Sequence, residues 1–163
     1  MSMFTHAIVF RQYRPEDNQE VKHLHEKALR DTNAYEEWDW KKYDKDLDEI
    51  ENFYMNNDGN FVVGLLDDKI IAMGAYLRLD ETTAKLRRMR VEPELQKQGI
   101  GRQLLDLLET EIRDRGYISI ELNTTINQVA AQKLYEQTGY HVDRRETEGW
   151  PIELIYYRKE LDI

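Results

Sequence analysis

Apolar residues recur along this chain in two periods, and the change from one to the other marks the elements. Alternation in His6–Tyr13 ("HAIVFRQY") predicts a first strand. In the next stretch Pro15, Glu16 and Asp17 give a helix-start composition, and Val21, Leu24, Ala28 and Leu29 follow at helical spacing. "NAYEEWDW" reads as an aromatic and acidic connector. "KDLDEIENFYMNN" predicts a second, amphipathic helix with Leu47, Ile50, Phe53 and Tyr54 on one side and Gly59 at its end. Two β-rich runs flank Asp67-Asp68 and predict a hairpin, continued as a meander by Thr82–Val91.

The strongest helical stripe is Ile100, Leu104, Leu105, Leu107, Leu108 and Ile112, closed at Gly116. "YISIELNT" predicts a strand, "NQVAAQKLYEQTG" a helix stopped by Gly139, and "YHVDRRET" and "ELIYYRKEL" a final antiparallel pair around "EGWP". The expected order is β-α-α-β-β-β-α-β-α-β-β. A meander followed by a βαβ crossover implies an α/β architecture with a central mixed sheet flanked by helices. No repeat or low-complexity linker interrupts the 163 residues, so one domain over 1–163 is expected.

Composition narrows the function classes. Hydrophobic residues make up 40% and charged residues 34%, the balance of a globular protein. The start of the chain has no signal-peptide pattern, and no apolar run is long enough to span a bilayer, so neither export nor a membrane is expected. The absence of cysteine excludes disulfides, thiolate metal sites and a cysteine nucleophile, and fits a cytoplasmic location. A net charge of −9 argues against a nucleic-acid partner and sits more comfortably with a cationic small molecule or basic peptide. His23 and His25 lie on different helix faces at two-residue spacing and make no metal site; none is expected elsewhere.

The chemistry concentrates in "LQKQGIGRQLL". A strand, a glycine turn and a helix start make an anion site: unpaired N–H groups and the helix dipole face the turn, and Gly99 and Gly101 remove side chains that would hold a phosphate away. Lys97 and Arg102 add positive charge. A tight turn that merely needs glycine explains the same residues. A P-loop needs a longer spacing, and a dinucleotide fingerprint needs a third glycine where Leu104 stands, although Glu121 falls near the place of a ribose-binding acid.

Two segments together resemble a known family. "VEPELQKQGIGRQLL" is similar to the acyl-CoA loop of the GCN5-related N-acetyltransferases (GNAT), through Val91, Pro93, Gln96, Gly99 and Gly101. "QVAAQKLYEQTGY" resembles the family's later helix through Ala131, Leu134, Tyr135, Glu136 and Gly139, with Tyr140 in place of phenylalanine. Three further segments look somewhat like its camello-like branch. The resemblance implies a GNAT fold and acetyl-CoA as cofactor. It implies a pantetheine arm along the backbone of Met89 and Val91, a pyrophosphate on the amides of Lys97, Gln98, Gly99, Ile100, Gly101 and Arg102, and Arg90 and Gln96 among the cofactor-binding residues. Asn123 and Gln128 are expected to contact the cofactor, Gln128 standing at the family's asparagine position. Tyr135 is implied as general acid to the CoA thiolate.

With no cysteine and no serine in a nucleophile setting, direct attack of a primary amine in a ternary complex is expected. Alternation sets Glu121 opposite Ile118, Ile120 and Leu122, which makes it either the base or a charge at a solvated strand end. Trp38, Trp40, His141 and Trp150 are the acceptor-site candidates; core anchoring explains the tryptophans, and a surface strand position His141, equally well. The acceptor is expected to be a small-molecule amine or a peptide or protein amine, and a homodimer is one expectation. A non-catalytic acyl-CoA-binding module of the same fold and a dinucleotide-binding oxidoreductase remain competing classes.

Overall fold

A computed structural model of the chain describes residues 7–32, 44–150 and 152–162. The strands are β1 (Val9–Gln12), β2 (Asn60–Leu66), β3 (Lys69–Arg78), β4 (Thr83–Val91), β5 (Ser119–Thr125), β6 (His141–Glu146) and β7 (Leu154–Glu160). The α-helices are α1 (Asn18–Asp31), α2 (Ile100–Asp114) and α3 (Val129–Gln137). The strands form a seven-stranded sheet of order β1-β2-β3-β4-β5-β7-β6. Only β4 and β5 pair in parallel; every other neighbour is antiparallel. The mixed sheet expected from the meander and crossover is therefore present.

Alternation sends the two faces of the sheet to different layers. Val62, Tyr76, Leu86, Ile120 and Leu122 pack with the apolar stripe of α2 and with Tyr135 of α3. Phe61, Val63, Met73 and Ala75 pack with Val21 and Leu24 of α1 and with Leu47, Ile50 and Tyr54. The β2–β3 turn has φ of 50° and 63° at Asp67 and Asp68, the pair of positive values that a two-residue hairpin loop requires.

The second predicted helix is not an α-helix. Lys45–Asp48 is a 3₁₀ turn and Glu51–Met55 a single π-helical turn, closed by an Asn56 N–H that bonds five residues back to Glu51. Leu47, Ile50 and Tyr54 are still buried, because one apolar side is satisfied by either winding. Asp44 and Asp46 turn inward to meet Arg88, and an unbroken α-helix would not present both.

The crossover holds the feature that builds the site. β4 pairs with β5 only from Thr83 to Leu86, against Ser119 to Leu122. Beyond that point β4 continues on β3 as far as Val91, and β5 on β7 as far as Thr125, so the two parallel strands diverge. A bulge sits at the divergence: Arg87 pairs with Ala75 and Arg90 with Met73, which sets Arg88 and Met89 against Gly74 alone. Arg88 has a φ of 61°. The extra residue places two consecutive side chains on the α1 side. Arg87 lies over the Phe53 ring at 5.3 Å and Arg88 reaches Asp44 and Asp46, while Met89 packs toward α2. A Cβ at position 74 would come within 2.6 Å of the Met89 sulfur, so glycine leaves the space that Met89 fills.

Candidate active site

Two cavities open at the divergence, and they share part of their lining. The larger, about 590 Å³, runs between the end of β4, the loop before α2 and the outer face of α3. The smaller, about 340 Å³, lies between β4, the ends of β5 and β7, and Leu29 of α1. Met89, Arg90 and Tyr135 line both.

The loop of the larger cavity has the geometry of an anion cradle. Lys97 and Gly99 both adopt left-handed backbone, with φ of 65° and 84°. Residues of this kind turn successive N–H groups toward one concavity. No side chain caps α2, so the N–H groups of its first turn remain open. A Cβ at Gly99 would meet nothing within 4 Å, and one at Gly101 would touch Leu134 and Val91 only at ordinary contact distances of 3.4 and 3.7 Å. Protein packing therefore does not demand Gly101. Its missing side chain leaves the cavity floor open, as a phosphate-bearing ligand on these amides requires, and the residues present fit a CoA pyrophosphate. Gln96 is committed to the strand end, its Nε2 donating to the Val91 carbonyl at 3.3 Å. The Gln98 Oε1 is buried without a hydrogen bond.

Tyr135 sits between the cavities, 4% exposed, with its ring against Tyr140 and Tyr157 at 5.6 and 5.9 Å. Burial pushes its phenol up to about 12, against the opposing charge of Arg90. At neutral pH it is a proton donor.

Behind the smaller cavity lies a buried charge network. Arg88 is held by Asp46 (2.6 and 3.0 Å) and Asp44 (2.8 Å), and Asp46 also accepts from the Tyr54 hydroxyl. His25 of α1 is 2.7 Å from Asp44 through Nε2, and its Nδ1 faces Arg90 Nε at 3.2 Å. Burial is the main cause that lowers His25 to about 4, so the imidazole is neutral. Because Nδ1 accepts from a guanidinium, Nε2 carries the proton and donates to Asp44. Burial alone would raise Asp44; its bond to His25 and the charge of Arg88 outweigh that and bring it to about 2. Arg90, oriented by His25 and by a 2.9 Å bond to the Met89 carbonyl, is lowered to about 10, chiefly by burial.

Of the residues expected from the sequence, Met89, Arg90, Val91 and the loop from Gln96 to Arg102 other than Gln98 line the larger cavity. Asn123 and Gln128 line the smaller one instead. The Thr124 hydroxyl donates to the Gln128 Oε1. Trp150 is at the mouth of the smaller cavity, its indole N–H on Glu146 at 3.2 Å. His141 opens the outer strand β6, exposed, and lines neither cavity. Glu121 is buried beside them with its oxygens 3.2 Å from Arg144 and 3.8 Å from Arg158. Trp38 and Trp40 fall outside the described residues. Sequence reasoning missed the His25–Asp44 pair and the cationic wall of Lys85, Arg87 and Arg88. Among the described residues no group of three or more His, Asp or Glu is placed to hold a metal, and no helix is long and apolar enough to cross a membrane.

Two cavities thus share a buried phenol, and the loop beside the larger one turns unpaired amides toward it. The Acetyltransferase (GNAT) family matches residues 16–140, and the chain belongs to it. N-acetylaspartate synthetase of Danio rerio is 31% identical over 125 residues, which cover 69% of this chain and 43% of that protein. The [ribosomal protein bS18]-alanine N-acetyltransferase of Salmonella typhimurium is 33% identical over 95 residues, 56% of this chain and 63% of that one. The chain thus spans less than half the length of the synthetase. Among solved structures, a GNAT-family acetyltransferase from Staphylococcus aureus Mu50 has the same fold, with a TM-score of 0.84 at 22% identity over 96% of this chain and 100% of that one. The PaiA N-acetyltransferase of Thermoplasma acidophilum, solved with coenzyme A, gives 0.80 at 22% identity over 95% and 99%.

Proposed function

We propose that this protein is an acetyl-CoA-dependent N-acetyltransferase that passes the acyl group directly to an amine held in the smaller cavity. The observation that carries this reading is that the two cavities share Met89, Arg90 and Tyr135. A cofactor seated on the glycine loop and an acceptor in the smaller cavity would converge there, which suits direct transfer in a ternary complex. Acetyl-CoA supplies the activated acyl thioester when bound.

The chain's own residues then have defined tasks. The loop amides from Lys97 to Arg102 bind negative charge. The β4 main chain beyond Leu86, unpaired with β5, offers hydrogen bonds to an extended ligand. Tyr135 holds a proton at its phenol oxygen and delivers it to the sulfur as the C–S bond breaks. The attacking amine must arrive neutral, and the positive lining of its cavity lowers the pKa of any ammonium bound there. We assign the base role to no described side chain: both oxygens of Glu121 are committed to guanidinium groups. The relatives are named for N-acetylaspartate and for the alanine of a ribosomal protein, so their acceptors range from an amino acid to a protein.

The test is thermal unfolding with and without acetyl-CoA, in the wild type and in Gly99→Glu, followed by thiol release with an amine library. A stabilisation that the variant loses, together with amine-dependent release, supports the reading. Stabilisation without release from any amine favours a non-catalytic acyl-CoA-binding module.

A further inference from the structure

The smaller cavity is lined by four cations, Lys85, Arg87, Arg88 and Arg90, and among the described residues by no carboxylate. Arg88 is met by Asp44 and Asp46 from behind. Those two carboxylates bond to Arg88, and the carboxylates nearest the other three cations, Glu121 across from Lys85 and Asp46 beside Arg87, stand outside the cavity lining. The nearest one to Arg87 is Asp46 at 3.9 Å, already held by Arg88 at 2.6 Å. Arg90 is bonded to a neutral imidazole and a carbonyl. Lys85 lies over the Tyr156 ring at 5.5 Å and makes no ion pair among the described residues. Burial, helped by Arg87 and Arg144, lowers the Lys85 ammonium from its ordinary value against the opposing charges of Glu121, its neighbour on β5, and Glu146.

Cations gathered in a half-enclosed cavity repel one another and lose water, a cost that an anionic ligand removes. A further group in the same cavity lacks a partner. Thr125 lines it, is 7% exposed, and its hydroxyl makes no hydrogen bond. Lys85 and Arg87 stand two residues apart on one face of β4, so their Cα atoms are roughly 7 Å apart. That is a span two carboxylates of one small molecule can bridge.

We infer that the acceptor is a small amine carrying two carboxylates, an amino dicarboxylic acid, with its carboxylates on Lys85 and Arg87, a hydrogen bond from Thr125, and its amine toward Tyr135 and Arg90. The inference rests on the acetyl-transfer reading and names the substrate class of that site. It departs from the cationic small molecule or basic peptide that the net charge of −9 favoured. The step balances as ordinary acyl transfer. The amine nitrogen bonds to the acyl carbon, the C–S bond breaks, the thiolate takes the Tyr135 proton, the nitrogen loses one proton to solvent, and Tyr135 regains one from solvent.

The experiment measures thiol release from acetyl-CoA with L-aspartate, L-glutamate, L-alanine, L-alaninamide, O-phospho-L-serine, spermidine and an aspartyl dipeptide. In parallel, aspartate binding to the CoA-loaded protein is followed by calorimetry, in the wild type and in Arg87→Gln, Arg87→Lys and Lys85→Gln. The expected result is that a dicarboxylate has a kcat/KM at least tenfold above every other acceptor. Arg87→Gln and Lys85→Gln raise its KM tenfold or more, Arg87→Lys recovers part of the loss, and the thermal shift with CoA reports that each variant is folded. Preference for spermidine, alaninamide, the phosphoamine or the dipeptide overturns the inference and leaves acetyl transfer standing. Release from no amine overturns acetyl transfer. In that case calorimetry decides the anion site, which stands if aspartate binds and Arg87→Gln abolishes binding, and falls if aspartate does not bind.

Discussion

The Nε of Arg90 donates to the Nδ1 of His25 across 3.2 Å, and that contact fixes which nitrogen of the imidazole carries the proton. Asp44 receives the proton-bearing Nε2 at 2.7 Å. One helix of the α1 layer thus orients a guanidinium on the boundary between the two cavities.

A pH dependence follows. The folded His25 titrates at about 4 against an ordinary 6.5, so below pH 6.5 the unfolded chain takes up a proton that the folded chain refuses. Stability is fully present above pH 6.5 and falls as pH drops toward 4, by up to about 3 kcal/mol. Asp44, depressed to about 2 from 3.8, adds a further loss only below pH 4. Urea midpoints of the wild type at pH 7 and pH 5 should differ, and His25→Gln should flatten the difference.

Replacing Tyr135 with phenylalanine removes the proton donor and keeps the ring contacts with Tyr140 and Tyr157. The expected outcome is a kcat lower by about a hundredfold with little change in the KM for acetyl-CoA. Because burial holds the phenol near 12, the wild-type kcat should show no loss of this acid between pH 7 and 10.

Gly101→Ala tests the cradle apart from the fold. The added Cβ makes ordinary contacts with Leu134 and Val91 and sits in a helix, where alanine is favourable. Thermal stability without ligand should be unchanged or higher, while the affinity for acetyl-CoA measured by calorimetry should weaken at least tenfold.

Gly59→Ala tests the fold apart from the cradle. A Cβ there would stand 1.9 Å from the Tyr76 carbonyl oxygen, a main-chain atom that cannot swing aside. Destabilisation of about 3 kcal/mol is expected, read as a lower denaturant midpoint.

The strands, the hairpin turn and the α2 stripe were legible because alternation and the 3.6-residue period are properties of the chain itself. The winding of residues 45–55 was not, because the Asp46 side chain there meets Arg88, a partner distant in sequence. His25 left a signal that was passed over: with Val21 and Ala28 it falls at i, i+4 and i+7, the buried side of α1. The bulge left a fainter one in Gly74, a lone glycine inside a strand pattern. The glycine turn was readable because Gly99 and Gly101 interrupt the passage from strand to helix. The cationic wall was not, because "KLRRMR" alternates on paper, and only the extra residue of the bulge turns Arg87 and Arg88 to the same side.

Four register pairs, from Thr83↔Ser119 to Leu86↔Leu122, with the Thr82 carbonyl at their end, join a half-sheet of β1 to β4 to a half-sheet of β5 to β7. Mechanically the sheet is a partly opened zip. A ligand lying in the opening would touch both halves and act as a splint across them, stiffening strands that it does not itself contact.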